Sequence, residues 1–210
     1  MNIEALAGPL TPEQSELLTA YGEAILTSSR SMNLVSRKSL GTISEHFVDA
    51  AALLAFSDPG DRDLGDLGSG AGFPGVVVAI LRPAASVTLV DSRRSKVVFL
   101  KDVKRRLGLE NVTVVHGRLE DLEDEVEFGL AVARALGNTE AVLAACLRLL
   151  APGGRLVFFK GPLWGDEARQ ARIIAEREGA VIARTESIPL PGLDRATTFV
   201  EFHVKQPMNQ

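Results

Sequence analysis

Apolar side chains recur at helical spacing in the first part of the chain. Thr11–Gln14 has the residue types that begin a helix: a capping threonine, a proline in the first turn and a glutamine three positions after the cap. The apolar positions that follow are Leu17, Leu18, Tyr21 and Ile25. A second helix is predicted from Leu40 to Phe56, because residues 57–60 read Ser-Asp-Pro-Gly, which is typical of a chain reversal. We therefore predict a helical extension over residues 1–60.

The pattern changes after residue 60, where short apolar runs alternate with amphipathic stretches. The predicted strands are Asp63–Leu67, Ser86–Val90, Val112–His116, Leu130–Ala133, Arg155–Phe159, Ala180–Ile188 and Thr197–Val204. The predicted helices are Gly75–Leu81, Arg93–Leu107, Asn138–Leu150 and Asp166–Glu178. Alternation of this kind predicts a mostly parallel sheet with helices on both faces.

The last two strands have only Pro189–Gly192 between them, which predicts an antiparallel hairpin at one edge of the sheet. We therefore predict an α/β fold in which a doubly wound, Rossmann-like sheet over residues 61–210 forms one compact unit with the N-terminal helices. A mostly parallel sheet that ends in such a hairpin is the layout of class I methyltransferases.

Composition narrows the class of protein further. Of the 210 residues, 46% are apolar and 24% are charged, which is ordinary for a globular domain. The sequence has no apolar run long enough to span a membrane, and residues 1–10 lack the basic and apolar regions of a secretory signal. Cys146 is the only cysteine and the three histidines (His46, His116 and His203) are scattered, so neither a disulfide nor a metal site is predicted. We expect a cytoplasmic protein.

The formal net charge of the chain is −4, but one segment of it is strongly basic. Seven cations stand against a single acid, Asp102, in the predicted helix and its start: Arg93, Arg94, Lys96, Lys101, Lys104, Arg105 and Arg106. Such a segment is suited to the phosphates of a nucleic acid, or it is simply a solvated helix face.

A glycine-rich turn follows the first predicted strand. Residues 66–75 read DLGSGAGFPG, so Gly68, Gly70 and Gly72 lie at the carboxyl end of that strand, where open α/β sheets bind ligands. Glycine permits positive φ and the close approach of a ligand to the backbone. Asp91 ends the second strand, where a carboxylate can accept hydrogen bonds from ribose hydroxyls. These features predict a nucleotide-type cofactor site rather than a tight turn alone.

Two residues favour S-adenosylmethionine over a dinucleotide. Asp66 precedes the first glycine, where its carboxylate suits a cationic amino group and would repel a pyrophosphate. Phe73 stands where a dinucleotide pattern starting at Gly68 requires its third glycine. We therefore predict a methyltransferase.

The residues available for activating a nucleophile are few. Cys146 lies in the middle of a predicted helix and is interpreted as a core residue. The fourth strand runs into Ala133-Arg134-Ala135, without the Asn/Asp-Pro-Pro-aromatic loop that serves exocyclic amines. A ring nitrogen such as guanine N7 already has an in-plane lone pair, so positioning and desolvation could suffice for its methylation.

The motifs together resemble one family, RsmG (GidB), the bacterial small-subunit ribosomal RNA guanine-N7 methyltransferases. The matching segments, in chain order, are Asn33–Ser36, His46–Asp49, Asp66–Gly75, Leu89–Ser92, Arg118–Glu120, Ala133–Ala135 and Lys160–Gly161. The resemblance implies an enzyme that uses S-adenosylmethionine and acts on 16S ribosomal RNA or the small ribosomal subunit, with no metal and no membrane.

The resemblance also implies roles for particular positions. The implied cofactor contacts are Asp66, Gly68, Ser69, Gly70, Gly72, Phe73, Asp91, Leu119, Glu120 and Arg134. Among them, Gly68 and Phe73 would line the methionine and ribose side of the cofactor, and Leu119 and Glu120 would border the adenine. Two residues, Arg134 and Lys160, would position the substrate without acting as a general base. The implied RNA contacts are Asn33, His46, Arg93, Arg94, Lys96 and Arg195.

Several of these residues have a simpler interpretation that the sequence leaves open. Arg134 could pair with an acid beneath the sheet, and Lys160 could be a solvated charge at a strand end. Phe73 and His46 could serve packing alone. Glu120 could belong only to the acidic loop that follows it, and Asn33 could only shape a turn.

The chain departs from the family pattern at three points, each of which concerns RNA contact rather than cofactor binding. Asp49 is followed by two alanines, the predicted helix Arg93–Leu107 opens with Arg93-Arg94-Ser95-Lys96, and Arg195 is followed by alanine. A small-molecule methyltransferase and a noncatalytic RNA-binding or ribosome-assembly module stay open as alternatives. No long insertion that could cover a small substrate is evident, and the intact acids and glycines of the turn argue against the noncatalytic module.

Overall fold

A computed structural model describes residues 3–30, 32, 34, 41–58, 60–122, 126–134, 139–160 and 164–206. The helices are α1 (Glu4–Ala7), α2 (Pro12–Ser28), α3 (Ile43–Phe56), α4 (Gly75–Leu81), α5 (Arg94–Leu107), α6 (Thr139–Arg148) and α7 (Trp164–Arg177). The strands are β1 (Asp63–Leu67), β2 (Ser86–Asp91), β3 (Val112–His116), β4 (Phe128–Arg134), β5 (Leu150–Lys160), β6 (Ala180–Pro189) and β7 (Ala196–Val204). A short 3-10 turn covers Leu119–Asp121.

The strands form one sheet in the order β3-β2-β1-β4-β5-β7-β6. Strands β1 to β5 run parallel, whereas β7 is antiparallel to both β5 and β6. The predicted doubly wound α/β fold with a C-terminal hairpin is therefore confirmed. The strand order reverses between β1 and β4, and in open α/β sheets the crevice at such a reversal is where ligands bind.

The N-terminal helices cover one face of the sheet. The predicted capping box at the start of α2 is present, because the Thr11 hydroxyl accepts a hydrogen bond from the Gln14 backbone amide and the Gln14 side-chain oxygen accepts one from the Thr11 backbone amide. Tyr21 of α2 and Phe47 of α3 share one apolar core with Val132 of β4. The division of the chain at residue 60 stays a prediction, although the helices and the sheet bury this core jointly.

Helices α6 and α7 cover the opposite face, where a second core contains Cys146, Ile174 and Phe158. Cys146 is fully buried, and this burial raises the pKa of its thiol well above the ordinary range. The interpretation of Cys146 as a core residue is confirmed. No helix among the described residues is both long and apolar enough to cross a membrane.

The largest boundary difference from the prediction is the start of β5. The helix predicted to reach Leu150 ends at Arg148, and Leu150 already pairs with Phe128 of β4. The register then shifts until Arg155 lies opposite Leu130, so the segment between them is accommodated as an irregularity within the strand. The pattern predicted the strand only from Arg155, because Pro152, Gly153 and Gly154 are typical of a turn.

Candidate functional site

The glycine turn is anchored to the end of β2. The backbone amides of Gly68 and Ser69 donate to the Val90 carbonyl at 2.8 and 2.9 Å, and the Ser69 hydroxyl donates to the Asp66 carbonyl at 2.8 Å. Gly68, Gly70 and Gly72 have φ of +74°, +58° and +99°, so the predicted need for glycine is confirmed. A Cβ built at Gly70 would meet only the Gly68 carbonyl, at 3.9 Å, which leaves that side of the turn open to a ligand.

The other side of the turn is closed by Tyr21 of α2. A Cβ at Gly72 would lie 2.7 Å from the Tyr21 hydroxyl, which itself donates to the Ala71 carbonyl at 2.7 Å. Burial, reinforced by the charge of Asp66, raises the pKa of Tyr21 well above its ordinary value, so this hydroxyl is protonated and available as a donor. The sequence placed Tyr21 only in an apolar stripe, yet a tyrosine on a core-facing stripe is a signal for a buried hydrogen bond.

Asp66 lies beneath the turn and is 1% exposed. Its Oδ2 accepts from the backbone amide of Gly75 at 2.9 Å, at the start of α4, whereas its Oδ1 is buried without a hydrogen-bond partner among the described residues. Burial raises the pKa of Asp66 to about 7. An unpartnered buried carboxylate oxygen is costly, and a cationic donor group would satisfy it and favour its ionised form.

Asp91 braces the turn from the end of β2. Its Oδ2 accepts from the Gly70 amide at 2.8 Å and its Oδ1 from the Arg93 amide at 2.8 Å. Each carboxylate oxygen can accept more than one hydrogen bond, so these two contacts leave capacity for ligand hydroxyls. The position of Asp91 was predicted, but its bond to the turn was not.

The side chain of Phe73 packs into the core and does not fit the prediction that it lines the cofactor. Its ring is nearly buried and packs against the rings of Tyr21, Phe47 and His46, with centroids 5.4, 5.3 and 5.5 Å away. The Phe73–Pro74 peptide bond is cis. The alternative role, in which the aromatic ring fastens the turn to the core, describes the structure better, because the ring faces the N-terminal helices.

The predicted adenine-bordering residues lie in the 3-10 turn that follows β3. Leu119 is half-buried against the second core, and Glu120 is exposed. The backbone amide of Gly117, just before this turn, donates to the Asp91 carbonyl at 3.3 Å. The turn therefore lies at the same edge of the sheet as Asp91, while its role toward adenine stays a prediction.

Arg134 ends β4 at this edge, and its guanidinium turns toward α3. Its Nη2 lies 2.7 Å from Asp49 Oδ2 and 3.0 Å from His46 Nδ1. The interpretation in which Arg134 pairs with an acid is thus confirmed. Burial, together with the positive charge of Arg134, lowers the pKa of His46, which keeps its imidazole neutral at pH 7.

Asp49 was quoted in a motif but was not singled out as a site residue. Its carboxylate also accepts from Arg195, at 3.0 and 3.1 Å, and from the Thr197 hydroxyl at 2.5 Å. Burial opposes ionisation of Asp49, but hydrogen bonds from Arg195 and the charge of Arg134 outweigh it and hold its pKa below the ordinary value. We name Asp49, Arg134, Arg195 and Thr197 the Asp49 cluster.

Lys160 is the last residue of the neighbouring strand β5. Its side chain lies on the face of the sheet opposite to that of Arg134. Its ammonium lies 2.8 Å from Glu167 of α7 and about 5 Å from the ring centres of Phe158 and Trp164. It is therefore not a bare solvated charge, and it does not converge with Arg134. The predicted joint positioning role of Arg134 and Lys160 does not fit this placement.

The residues predicted to contact RNA have unequal access to solvent. Arg93 and Arg94 are exposed, beside the turn at the start of α5, whereas Lys96 is buried and donates to the Leu34 carbonyl at 2.9 Å. This burial argues against the direct RNA contact predicted for Lys96. Arg195 is partly exposed within the Asp49 cluster. Asn33 lies outside the described residues.

No group of three potential His, Cys, Asp or Glu metal ligands occurs within the described part of the chain.

Solved structures with a similar fold include a protein solved with AdoMet and a protein named as a methyltransferase. TYW2 of M. jannaschii, solved in complex with AdoMet, aligns with a TM-score of 0.61 at 14% identity over 83% of this chain and 78% of that one. The mitomycin 7-O-methyltransferase MmcR aligns with a TM-score of 0.61 at 15% identity over 96% of this chain and 70% of its own. At these identities the likeness establishes the fold alone.

Sequence relatives are more specific. A protein of Chromobacterium violaceum named ribosomal RNA small subunit methyltransferase G is 34% identical over 90% of this chain and 88% of its own length. A relative of the same name from Lactobacillus delbrueckii subsp. bulgaricus is 32% identical over 91% and 83%. The family model described as rRNA small subunit methyltransferase G (GidB) matches residues 14–189. The chain therefore belongs to the rRNA small subunit methyltransferase G family.

Proposed function

We propose that this enzyme transfers a methyl group from S-adenosylmethionine to N7 of a guanine in 16S ribosomal RNA, in the cytoplasm. The observation that carries the proposal is the glycine turn held between the carboxylates of Asp66 and Asp91, in a chain of the small-subunit rRNA methyltransferase family. The family name supports the RNA substrate, and the N7 position follows from the resemblance to RsmG.

The residues of the turn fit the proposed cofactor. The buried, unpartnered Oδ1 of Asp66 suits the amino group of the cofactor, and the open side of Gly70 admits a ligand to the backbone. Gly68, Ser69 and Gly72 shape the turn that receives it. Asp91 has acceptor capacity for the ribose hydroxyls. Leu119 and Glu120 would border the adenine.

In the proposed reaction, the main task of the protein is to position the guanine against the methyl group. When bound, S-adenosylmethionine supplies an electrophilic methyl group on its sulfonium. Guanine N7 carries an in-plane lone pair, so this chain needs no general base and instead orients the base and excludes water. Arg134 is suited to orient the guanine or its phosphate, because it lies at the carboxyl end of β4 and its side chain keeps 19% of its surface exposed.

The exposed cations at the start of α5 complete the proposal. Arg93 and Arg94 lie next to Asp91 and therefore beside the mouth of the cofactor turn. Phosphate contacts position a nucleic acid without reading its sequence, which is the role we assign to these two arginines. Lys96 and Lys160 are left out of this role because the structure buries or pairs their ammonium groups.

The test is methyl transfer to rRNA. The purified protein would be incubated with methyl-labelled S-adenosylmethionine and small ribosomal subunits that lack the modification. We expect label in the rRNA with the wild-type protein, much less with Arg134→Ala, and cofactor affinity in Arg134→Ala close to wild type by calorimetry. Label that never enters rRNA, or enters a small molecule in preference to rRNA, would contradict the proposal.

A further inference from the structure

The carboxylate of Asp49 is contacted by elements that lie far apart in the sequence. Asp49 belongs to α3, and Arg134 ends β4. Arg195 immediately precedes β7, and Thr197 is the second residue of that strand. Asp49 is 4% exposed, and its two oxygens accept four hydrogen bonds from these three residues. The carboxylate is thus fixed independently of any substrate.

The far end of the Arg134 side chain is held from α3. An arginine side chain carries about 2 kcal/mol of rotamer entropy, so its guanidinium takes one direction only where partners hold it. Both hydrogen-bonding contacts of Arg134 within the described residues, to Asp49 and to His46, use Nη2. Its Nη1 and Nε donors make no hydrogen bond to the described residues.

The electrostatics of the contact favour an ionised Asp49. Arg134 and Arg195 place two positive charges on one buried carboxylate, and the Thr197 hydroxyl adds a neutral donor. A charge-assisted pair of this kind is shorter and stronger than a neutral hydrogen bond, as the 2.7 Å contact to Arg134 indicates.

We infer that Asp49 is a positioning residue for methyl transfer, which acts by fixing the direction of the Arg134 guanidinium toward the RNA substrate. The inference rests on the proposed function. Thr197 and Arg195 fix Asp49 in turn, so the N-terminal helix α3 and the C-terminal strand β7 both contribute to the orientation of one arginine on β4.

A structural role alone would also make Asp49 sensitive to substitution. Removing one partner of a buried ion pair destabilises a protein whatever its function. Stability measurements therefore cannot decide the question. Turnover measured with and without Arg134 can, because a residue that acts through Arg134 has nothing to position once that side chain is gone.

The test uses Asp49→Asn in the full-length protein, which keeps the shape of the side chain but removes its charge. We expect kcat for methylation of small-subunit rRNA to fall roughly ten- to a hundredfold, with little change in KM for the subunit, since misplacing an orienting group costs turnover. The affinity for S-adenosylmethionine, measured by calorimetry, should stay within about twofold of wild type. In an Arg134→Ala background, Asp49→Asn should change turnover by less than about twofold.

Glu201→Gln is the matched control. Glu201 is also a buried carboxylate, at 6% exposure, and accepts from Arg155 at 3.3 Å, five positions before the end of β5. This variant should lose stability but keep turnover. Should Asp49→Asn fail to fold, Thr197→Val, which removes only one hydrogen bond to Asp49, is judged by the same comparisons with a smaller expected decrease.

The outcomes separate the inference from the proposed function. Turnover in Asp49→Asn equal to that of Glu201→Gln, or an equal loss of turnover with and without Arg134, would overturn the positioning role while the wild-type enzyme still methylates rRNA. A wild-type protein that leaves rRNA unmethylated would instead contradict the proposed function, and the inference with it.

Discussion

Replacing Tyr21 with phenylalanine removes one hydroxyl from the contact between α2 and the glycine turn. The phenyl ring retains its neighbours Phe47 and Phe73, whose centroids lie 5.5 and 5.4 Å away. What is lost is the 2.7 Å hydrogen bond to the Ala71 carbonyl, in a residue that is itself 6% exposed. The substitution therefore isolates one polar contact inside an otherwise apolar cluster.

The expected cost follows from leaving that carbonyl buried and unpaired. Such a group costs about 1–3 kcal/mol. For a protein of this size, each kcal/mol lowers the melting temperature by about 2–4 °C, so we expect a decrease of roughly 2–12 °C. The lost hydrogen bond fixes Ala71, which lies between Gly70 and Gly72 in the glycine turn. We therefore also expect weaker binding of S-adenosylmethionine, by up to about tenfold.

Two assays check the prediction: thermal unfolding of the cofactor-free protein and calorimetric titration with S-adenosylmethionine. Phe56→Leu is the control, because Phe56 stacks on Phe199 in the same core, at 5.0 Å, away from the turn. This control should lose stability and keep its affinity. A Tyr21→Phe variant with the melting temperature and affinity of wild type would refute the argument that the hydroxyl braces the turn.

Three further predictions concern the turn and its two acids. Asp91→Ala should weaken S-adenosylmethionine binding in calorimetry by at least about tenfold, because it removes an acceptor and frees the Gly70 amide; unchanged affinity would contradict the proposed ribose contact. Gly72→Ala should lower the unfolding free energy in urea by about 1–3 kcal/mol or more, since a methyl group there meets Tyr21 at 2.7 Å in a backbone at φ +99°; a neutral result would contradict that packing. The pKa of Asp66 is about 7 in the folded protein against about 3.9 unfolded, so its stabilising contribution is present at low pH and is lost as the pH rises through 7. The unfolding free energy of the cofactor-free protein should therefore fall by about 3–4 kcal/mol more between pH 4 and 8 than that of Asp66→Asn, and parallel pH profiles would contradict the buried, raised carboxyl.

Much of the fold was predictable because its signals are local. Apolar runs that alternate with amphipathic stretches gave the strand and helix order, and Pro189–Gly192 predicted the final hairpin. The glycine turn was equally predictable from the sequence, because positions with positive φ at the end of a buried strand require glycine. Asp91 could be predicted as a site residue because it ends the second predicted strand.

The Asp49 cluster was not predictable in this way. Its hydrogen bonds join residues 85 to 148 positions apart, and nothing in the local pattern of α3 indicates which strand end its carboxylate will meet. The sequence also did not predict that the side chains of Arg134 and Lys160 lie on opposite faces of the sheet. Strands buried on both faces have no polar alternation, so the sequence does not reveal which face a terminal residue occupies.

The burial of Lys96 did have a sequence signal. Lys96 stands four positions before Leu100 and seven before Val103, which places it on the apolar side of α5. Its charge grouped it with Arg93 and Arg94, whereas helical spacing groups it with the core. Periodicity was therefore the better guide to its position than residue type.

In the proposed function, S-adenosylmethionine bound at this turn gives its methyl group to N7 of a guanine in small-subunit rRNA. The most direct measurement is mass-spectrometric mapping of the rRNA after reaction of unmodified subunits with the wild-type protein and isotopically labelled S-adenosylmethionine. We expect one labelled guanine, with the label on N7, and loss of that label in Arg134→Ala. Label on an exocyclic amine, on a cytosine carbon or on no nucleotide of the rRNA would contradict the proposed function.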